Sequence, residues 1–264
     1  MYDFKYEQAK SVADAAKAIG TDGDAKLVAG GMTLIPTLKQ RLAKPSALVD
    51  LGGIAELKGI KREGNAIVIG AMTKHVEVAT SAEVRNAIPA LADLASMIGD
   101  PAVRNRGTIG GSISNNDPAA DYPSALVALN ATVITNKRKI AADEFFKGMF
   151  ETALGGDEIV TAVSFPIPDK AAYMKFRNPA SRYAIVGTFV AKTGSNVRVG
   201  VTGAAPSVFR WKEAETALGK SWNADALKDL SVKADGLNSD IHASSEYRAH
   251  LVGVMARRAV AKAG

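Results

Sequence analysis

The sequence has 264 residues, 47% hydrophobic and 23% charged, which is typical of a globular protein that buries its own core. Its formal charge of +6 does not indicate nucleic-acid binding, because basic and acidic residues alternate and the densest basic run, Lys137-Arg138-Lys139, has no interleaved aromatic residues. The absence of cysteine excludes disulfides, zinc–thiolate sites and iron–sulfur ligation in this chain, so any redox centre here would be an organic cofactor.

The first residues of the chain and the hydropathy of the whole sequence indicate where in the cell the protein is expected. No apolar run approaches the roughly 20 residues that cross a bilayer. The first residues, Met1-Tyr2-Asp3-Phe4-Lys5-Tyr6, lack a basic segment followed by an apolar stretch. We therefore expect a cytoplasmic protein without a membrane span.

The first predicted elements surround a pair of glycines. Ser11, with Asp14 three residues later, predicts the capped start of a helix that ends at Gly20. A short strand over 26–29 then runs into Gly30-Gly31, and apolar spacing predicts a helix over 33–42. The order is strand, glycine turn, helix.

The middle of the chain predicts two core strands, a helix and a long loop. Residues 47–51 and 66–70 are apolar enough to be buried strands, and 88–98 has helical spacing. The segment 99–121 is rich in Gly, Asn, Asp and Pro, so we expect a functional loop without regular structure. Asp121, at its end, is expected to cap the next helix.

The pattern changes near Phe165-Pro166-Ile167-Pro168-Asp169, where we expect a domain boundary. Beyond it, predicted strands come first and predicted helices after, which indicates an α+β domain. The expected strands are 173–177, 183–191 and 196–202, and the expected helices are 212–218, 224–230 and 246–263.

The first candidate binding motif is Ala29-Gly30-Gly31-Met32-Thr33-Leu34. Glycine allows successive backbone N–H groups to converge on an anion, and a helix start adds unpaired donors for a phosphate. Thr33 could add a hydroxyl. A tight turn without a ligand is the alternative interpretation of a single glycine pair.

A second glycine pair occurs in Arg104-Asn105-Arg106-Gly107-Thr108-Ile109-Gly110-Gly111-Ser112. Two separate turns of this kind suit the pyrophosphate of a dinucleotide. Neither has the Gly-x-Gly-x-x-Gly pattern, and Gly219-Lys220-Ser221 lacks the earlier glycine of a P-loop. Rossmann dehydrogenases and P-loop enzymes are therefore disfavoured.

These two motifs, followed by Asn116-Asp117-Pro118-Ala119-Ala120-Asp121-Tyr122-Pro123, resemble the flavoprotein subunit of the xanthine dehydrogenase and carbon monoxide dehydrogenase family. The resemblance covers the N-terminal two thirds, and the tail resembles that family's C-terminal domain. It implies an α+β protein: a two-lobed FAD-binding domain of the vanillyl-alcohol oxidase type over 1–168, with lobes of about 1–55 and 56–168. A smaller α+β domain would then cover 169–264.

The resemblance also implies which residues bind FAD non-covalently. The backbone of 28–34 would hold the pyrophosphate with the second glycine pair, Asp121 would bond the ribityl chain or ring edge, and Ile159 or Val160 would pack on the flavin ring. Ser112 and Met32 depart from the family pattern, where asparagine and a polar residue are common, and we expect serine or main-chain contacts instead. The residues carried over are Lys26, Val28, Ala29, Gly30, Gly31, Met32, Thr33, Leu34, Thr108, Gly110, Gly111, Ser112, Asp121, Ile159, Val160, Lys175, Arg177 and Tyr183. The last three either flank the isoalloxazine or form the solvated face of a strand.

By the same resemblance, the chain would be an electron-transfer subunit. A large molybdopterin-binding subunit and a small [2Fe–2S] subunit would be its partners, in a dimer of heterotrimers, and electrons would leave through FAD to a final acceptor. The alternatives are a stand-alone flavin oxidoreductase, including a reductase of cell-wall precursors, and a scaffold protein that has lost the flavin. The only histidines, His75, His242 and His250, are scattered and outside both glycine motifs, so we predict no covalent flavin, metal site or catalytic triad and treat each as a surface or packing residue.

Overall fold

The computed structural model describes residues 1–264 and begins with a small lobe built on a parallel sheet. Its strands are in the order β1-β3-β2. As predicted, Ser11 caps the first helix, because its Oγ accepts a hydrogen bond from the Asp14 amide at 3.1 Å. The second helix is shorter than predicted, since Arg41 has φ 60° and cannot continue it. The elements are β1 (Lys5–Gln8), α1 (Val12–Thr21), β2 (Lys26–Val28), α2 (Leu34–Lys39) and β3 (Ala47–Asp50).

A five-stranded antiparallel sheet of order β4-β5-β10-β6-β7 forms the second lobe. It carries the largest hydrophobic core, in which Ile67, Tyr122 and Phe165 are fully buried. Its strands are β4 (Ile60–Glu63), β5 (Ala66–Gly70), β6 (Thr132–Thr135), β7 (Lys139–Ala141) and β10 (Val160–Pro166), with a small hairpin of β8 (Phe146–Gly148) and β9 (Glu151–Thr152). Its helices are α3 (His75–Thr80), α4 (Ala82–Ala87), α5 (Pro89–Ser96), α6 (Pro101–Arg104), α7 (Ile109–Asn115), α8 (Tyr122–Ala128) and α9 (Ala142–Phe145).

The C-terminal part is a four-stranded antiparallel sheet with helices after it, as predicted. Successive side chains of a strand point to opposite faces, and a separate hydrophobic core packs against each face of this sheet. Phe189 packs in the core of the second lobe, whereas Val190 packs in a separate core with Trp211 and Met255. The elements are β11 (Lys170–Arg177), β12 (Ala184–Thr193), β13 (Asn196–Thr202), β14 (Phe209–Arg210), α10 (Lys212–Lys220) and α11 (Ser245–Ala263), and short 3₁₀ turns cover Ala55–Leu57 and Ala224–Leu227.

Two predictions for the middle of the chain are wrong. The segment 99–121 is not irregular, because it contains α6 and α7. Asp100 caps α6 by accepting from the Val103 amide at 2.9 Å, and Thr108 caps α7 in the same way. Asp121 makes no capping bond to α8, since its carboxylate is engaged elsewhere.

The chain is thus an α+β protein of two domains, the first of which has two lobes. None of its helices combines the length and the apolar character needed to cross a bilayer.

Candidate functional site

A cavity of about 820 Å³ lies between the two N-terminal lobes, with one loop of the C-terminal part at its edge. This volume falls within the range of roughly 300–1,000 Å³ that is usual for small-molecule and cofactor sites. Of the residues predicted to bind the cofactor, all line the cavity except Val28, Lys175 and Arg177. The structure therefore brings both glycine motifs to one site.

The first glycine motif offers unpaired hydrogen-bond donors to this cavity. The backbone N–H groups of residues 29–34 donate to no other group of the protein. The turn requires glycine at Gly31, where φ is 73°. These six residues are half-buried or exposed, so water can reach their N–H groups. Six consecutive unpaired donors beside a cavity nevertheless form a site that suits an anionic ligand.

The second motif uses its N–H groups differently. The Gly110 amide donates to the Ala71 carbonyl at 2.8 Å, and the Ser112 amide donates to the Thr108 carbonyl at 3.0 Å. The Gly111 amide donates to the Thr108 hydroxyl at 3.1 Å. The second motif therefore shapes the wall of the cavity, while the free backbone donors belong to the first.

Glycine is needed where the two motifs meet. A Cβ atom added at Gly30 would lie 2.1 Å from the Arg106 carbonyl oxygen, and one added at Gly110 would lie 2.6 Å from the Ala71 Cβ. Real Cβ atoms do not approach other atoms so closely. The first loop can thus touch the second only because Gly30 has no side chain, whereas Gly110 packs closely against Ala71, which follows β5.

A buried ionic network lies at the cavity wall beside Asp121. The Tyr173 hydroxyl donates to one carboxylate oxygen at 2.5 Å, and the Lys175 ammonium donates to the other at 2.9 Å and to the Met97 carbonyl at 3.2 Å. Burial raises the pKa of the Asp121 carboxyl, and Lys175 and Tyr173 oppose that rise. The Lys175 side chain is 0% exposed, so the prediction of a solvated strand face is wrong for this residue.

The C-terminal domain reaches the cavity through the turn before β12. Ser181, Arg182 and Tyr183 of this turn line it, and Tyr183 is half-exposed just outside the strand in which it was predicted. The Asn178 side chain shapes the turn by accepting from the amides of Ala180 and Ser181. Partial burial and nearby carboxylates raise the pKa of Tyr183. Arg177 is exposed and does not line the cavity.

His75 is a cavity residue that the sequence did not identify as one. It is 4% exposed, its Nδ1 has no hydrogen-bond partner, and its ring centroid lies 5.4 Å from that of Tyr122. Burial, with a smaller contribution from Arg104, lowers the pKa of His75 to about 4. No motif surrounds this histidine, and only the fold brings it against Gly107, where an added Cβ would lie 2.6 Å from its Nε2.

We expect His75 to make the unfolding free energy depend on pH. Its pKa is about 4 when folded and 6.5 in its ordinary state, so protons bind the unfolded chain preferentially as pH falls from 6.5 to 4. Stability should be complete above pH 6.5 and decrease by up to about 3 kcal/mol towards pH 4. Urea unfolding of wild type and His75→Leu at several pH values isolates this contribution as a difference.

His242→Leu provides the matched control, because it makes the same substitution at an exposed histidine. A His75→Leu profile parallel to wild type between pH 6.5 and 4 would show that His75 is not buried in its neutral form.

The site fits a dinucleotide better than a metal ion. The chain contains no group of three or more His, Asp or Glu side chains that could hold a metal. The cavity instead combines free backbone donors at the first glycine motif with apolar wall residues such as Leu51, Ile159 and Val160. That combination suits a ligand with a pyrophosphate and flat aromatic rings.

Comparisons with known proteins agree with this site. Residues 2–168 match the model of the FAD binding domain in molybdopterin dehydrogenase, and residues 171–263 match that of the CO dehydrogenase flavoprotein C-terminal domain. The chain is 35% identical to the nicotine 6-hydroxylase medium subunit of Paenarthrobacter nicotinovorans, over 98% of this chain and 97% of that one. It is 34% identical to the carbon monoxide dehydrogenase medium chain of Hydrogenophaga pseudoflava, over 97% and 96% of the two chains.

Solved structures give the same result. A chain of the carbon monoxide dehydrogenase from Hydrogenophaga pseudoflava superposes with a TM-score of 0.90 at 35% identity, covering 99% of this chain and 97% of that one. A chain of quinoline 2-oxidoreductase from Pseudomonas putida 86 gives 0.89 at 29% identity, covering 99% and 97%. With both domains matched and nearly the whole length covered, this chain belongs to the FAD-binding medium subunits of the molybdenum hydroxylases.

Proposed function

We propose that this chain carries electrons within a molybdenum hydroxylase, accepting them from the [2Fe–2S] clusters of a small partner subunit and passing them to a final acceptor. A large molybdopterin-binding subunit would oxidise the substrate. The observation that carries the proposal is the pair of touching glycine loops with free donors beside a cavity in a chain of this family. Because the chain has no cysteine, the clusters would be bound by another subunit.

The proposed roles of the residues follow from their places around the cavity. Bound FAD would supply the redox chemistry. The free amides of 29–34 would bind the pyrophosphate, with the Thr33 and Ser112 hydroxyls and the Lys26 ammonium nearby. Ile159 and Val160 would form an apolar wall for a ring, and Tyr183 would cover its edge from the C-terminal domain.

Asp121 would accept a hydrogen bond from the ribityl chain or the ring edge. Lys175 and Tyr173 would act on the cofactor through it, because they hold both carboxylate oxygens. Arg177 would contribute only its positive charge, since it does not line the cavity.

We also propose that residues 1–168 form the FAD domain and 169–264 a second domain, and that the complex is a cytoplasmic dimer of heterotrimers. The boundary between the domains is supported by the sheets, because β10 belongs to the five-stranded sheet and β11 to the four-stranded sheet. A stand-alone flavin oxidoreductase is the second candidate. Medium subunits and medium chains among the relatives favour the complex.

Purification of the chain from its natural source without a tag tests the electron-transfer role. We expect co-purification of a large and a small subunit, with molybdenum and iron in the complex. Flavin absorbance should bleach when the complex is mixed anaerobically with its substrate. A flavin-loaded chain that purifies alone and is reduced without any partner would favour the stand-alone enzyme.

A further inference from the structure

The basic run Lys137-Arg138-Lys139 does not serve the proposed cofactor contacts. Its first two residues lie in the turn between β6 and β7, and Lys139 begins β7. This turn packs against the segment 154–160, most of which lines the cavity. The two stretches are joined by side chains rather than by a strand ladder alone. The basic run is therefore placed to support one wall of the cofactor site.

Glu158 is the centre of this contact. Its carboxylate accepts from the Thr135 hydroxyl at 2.7 Å, from Arg138 Nε at 2.9 Å and Nη2 at 3.0 Å, and from the Gly155 amide at 3.0 Å. The Glu158 side chain is 3% exposed, whereas that of Arg138 is 54% exposed. A two-pronged Arg–carboxylate contact of this kind fixes direction as well as distance.

The same turn fixes the next residue of the wall. The Asn136 side-chain oxygen accepts from the Ile159 amide at 2.8 Å, and the Asn136 amide donates to the Ile159 carbonyl at 3.0 Å. Ile159 belongs to the core of the small lobe, where it packs with Leu51 and Met72, and all three line the cavity. Ile159 thus joins the two lobes at the cavity wall.

We propose that Arg138 and Glu158 are positioning residues for the dinucleotide: they hold Ile159 between the two lobes and so set the width of the cavity. This inference rests on the proposed FAD site. Neither residue needs to touch the cofactor through its charged group. Loss of the contact should loosen the wall and weaken FAD binding even though the glycine loops are intact.

The test uses the full chain, freed of flavin and titrated with FAD by fluorescence quenching. We expect Glu158→Gln and Arg138→Ala to raise the dissociation constant about tenfold, since each loses charge-assisted hydrogen bonds. Arg138→Lys, which keeps the charge without the two-pronged geometry, should lie between wild type and Arg138→Ala. The visible circular dichroism of bound FAD should change in the same order.

Two matched controls come from exposed neighbours without side-chain partners. Lys139→Ala changes the charge of the same run as Arg138→Ala does, and Glu144→Gln matches Glu158→Gln. Both should bind FAD as wild type does. Wild-type affinity and dichroism in Glu158→Gln and Arg138→Lys would overturn the inference, as would equal losses in the controls. A wild-type chain that binds no FAD would instead refute the proposed function itself.

Discussion

Replacing Gly30 by alanine should weaken FAD binding by about tenfold to 100-fold. The added Cβ would lie 2.1 Å from the Arg106 carbonyl oxygen and 2.8 Å from the Gly107 Cα, both backbone atoms that cannot rotate away. The two glycine loops would have to separate, which costs about 1–3 kcal/mol in overpacking and moves the free donors of the first loop. Titration of the flavin-free chain with FAD measures the effect.

Two other cavity glycines give the control. Gly23 and Gly156 also line the cavity, but an added Cβ would meet no atom within 4 Å at either position. Gly23→Ala and Gly156→Ala should therefore leave the dissociation constant of FAD within about twofold of wild type, which corresponds to a change of about 0.4 kcal/mol or less in binding free energy. If Gly30→Ala bound FAD as tightly as these two variants, the contact between the loops would not shape the site.

Replacing Lys175 by methionine should reduce the free energy of unfolding by about 3–5 kcal/mol, because it leaves the Asp121 carboxylate buried without its partner. The lysine side chain is 0% exposed and that of Asp121 4%, so solvent cannot replace the lost charge. Tyr173 alone would remain bonded to the carboxylate. Urea denaturation of the flavin-free chain at neutral pH measures the loss.

An exposed ion pair provides the comparison. Lys262 pairs with Asp93 at 2.6 Å, but these side chains are 44% and 49% exposed. Lys262→Met should therefore cost only about 0–1 kcal/mol. Adding Asp121→Asn to Lys175→Met should recover part of the loss, because the buried site then holds no charge. Equal losses in Lys175→Met and Lys262→Met would show that Asp121 is hydrated rather than buried.

Local sequence signals predicted part of this molecule well. The Ser11 cap and the core strand β5 depend on neighbouring residues, and both are present. Each glycine motif follows from a local need for a tight turn, and both motifs lie at the same cavity. The high content of Gly and Asn in 99–121 predicts a loop, but the segment forms the short helices α6 and α7. Their N-caps, Asp100 and Thr108, are single residues that the composition of the segment does not reveal.

Contacts between distant residues could not be predicted. Asp121 precedes a helix with proline near its start, which indicates a cap, yet its carboxylate bonds two residues more than fifty positions away. Lys175 has the spacing of a strand residue, and only the packing of α5 and α8 on the C-terminal sheet buries it. Similarly, the burial of His75 depends on Gly107, which lies in the loop between α6 and α7.

The Asp121 network also bears on how the two domains cooperate. Asp121 belongs to the domain with the glycine loops, whereas Tyr173 and Lys175 lie two residues apart on β11. Two residues of the same parity on a strand point to the same face, so both reach the same carboxylate. The C-terminal domain therefore fixes a cavity residue of the FAD domain, in addition to contributing Tyr183.

The most direct test of the central claim is an FAD titration of the isolated, flavin-free chain, followed by acid precipitation. We expect one FAD per chain, a flavin spectrum in the complex and complete release of the flavin into the supernatant. No binding would contradict the assignment of the cavity to FAD and would favour a scaffold that has lost its cofactor. Flavin that stayed with the precipitate would contradict a non-covalent site.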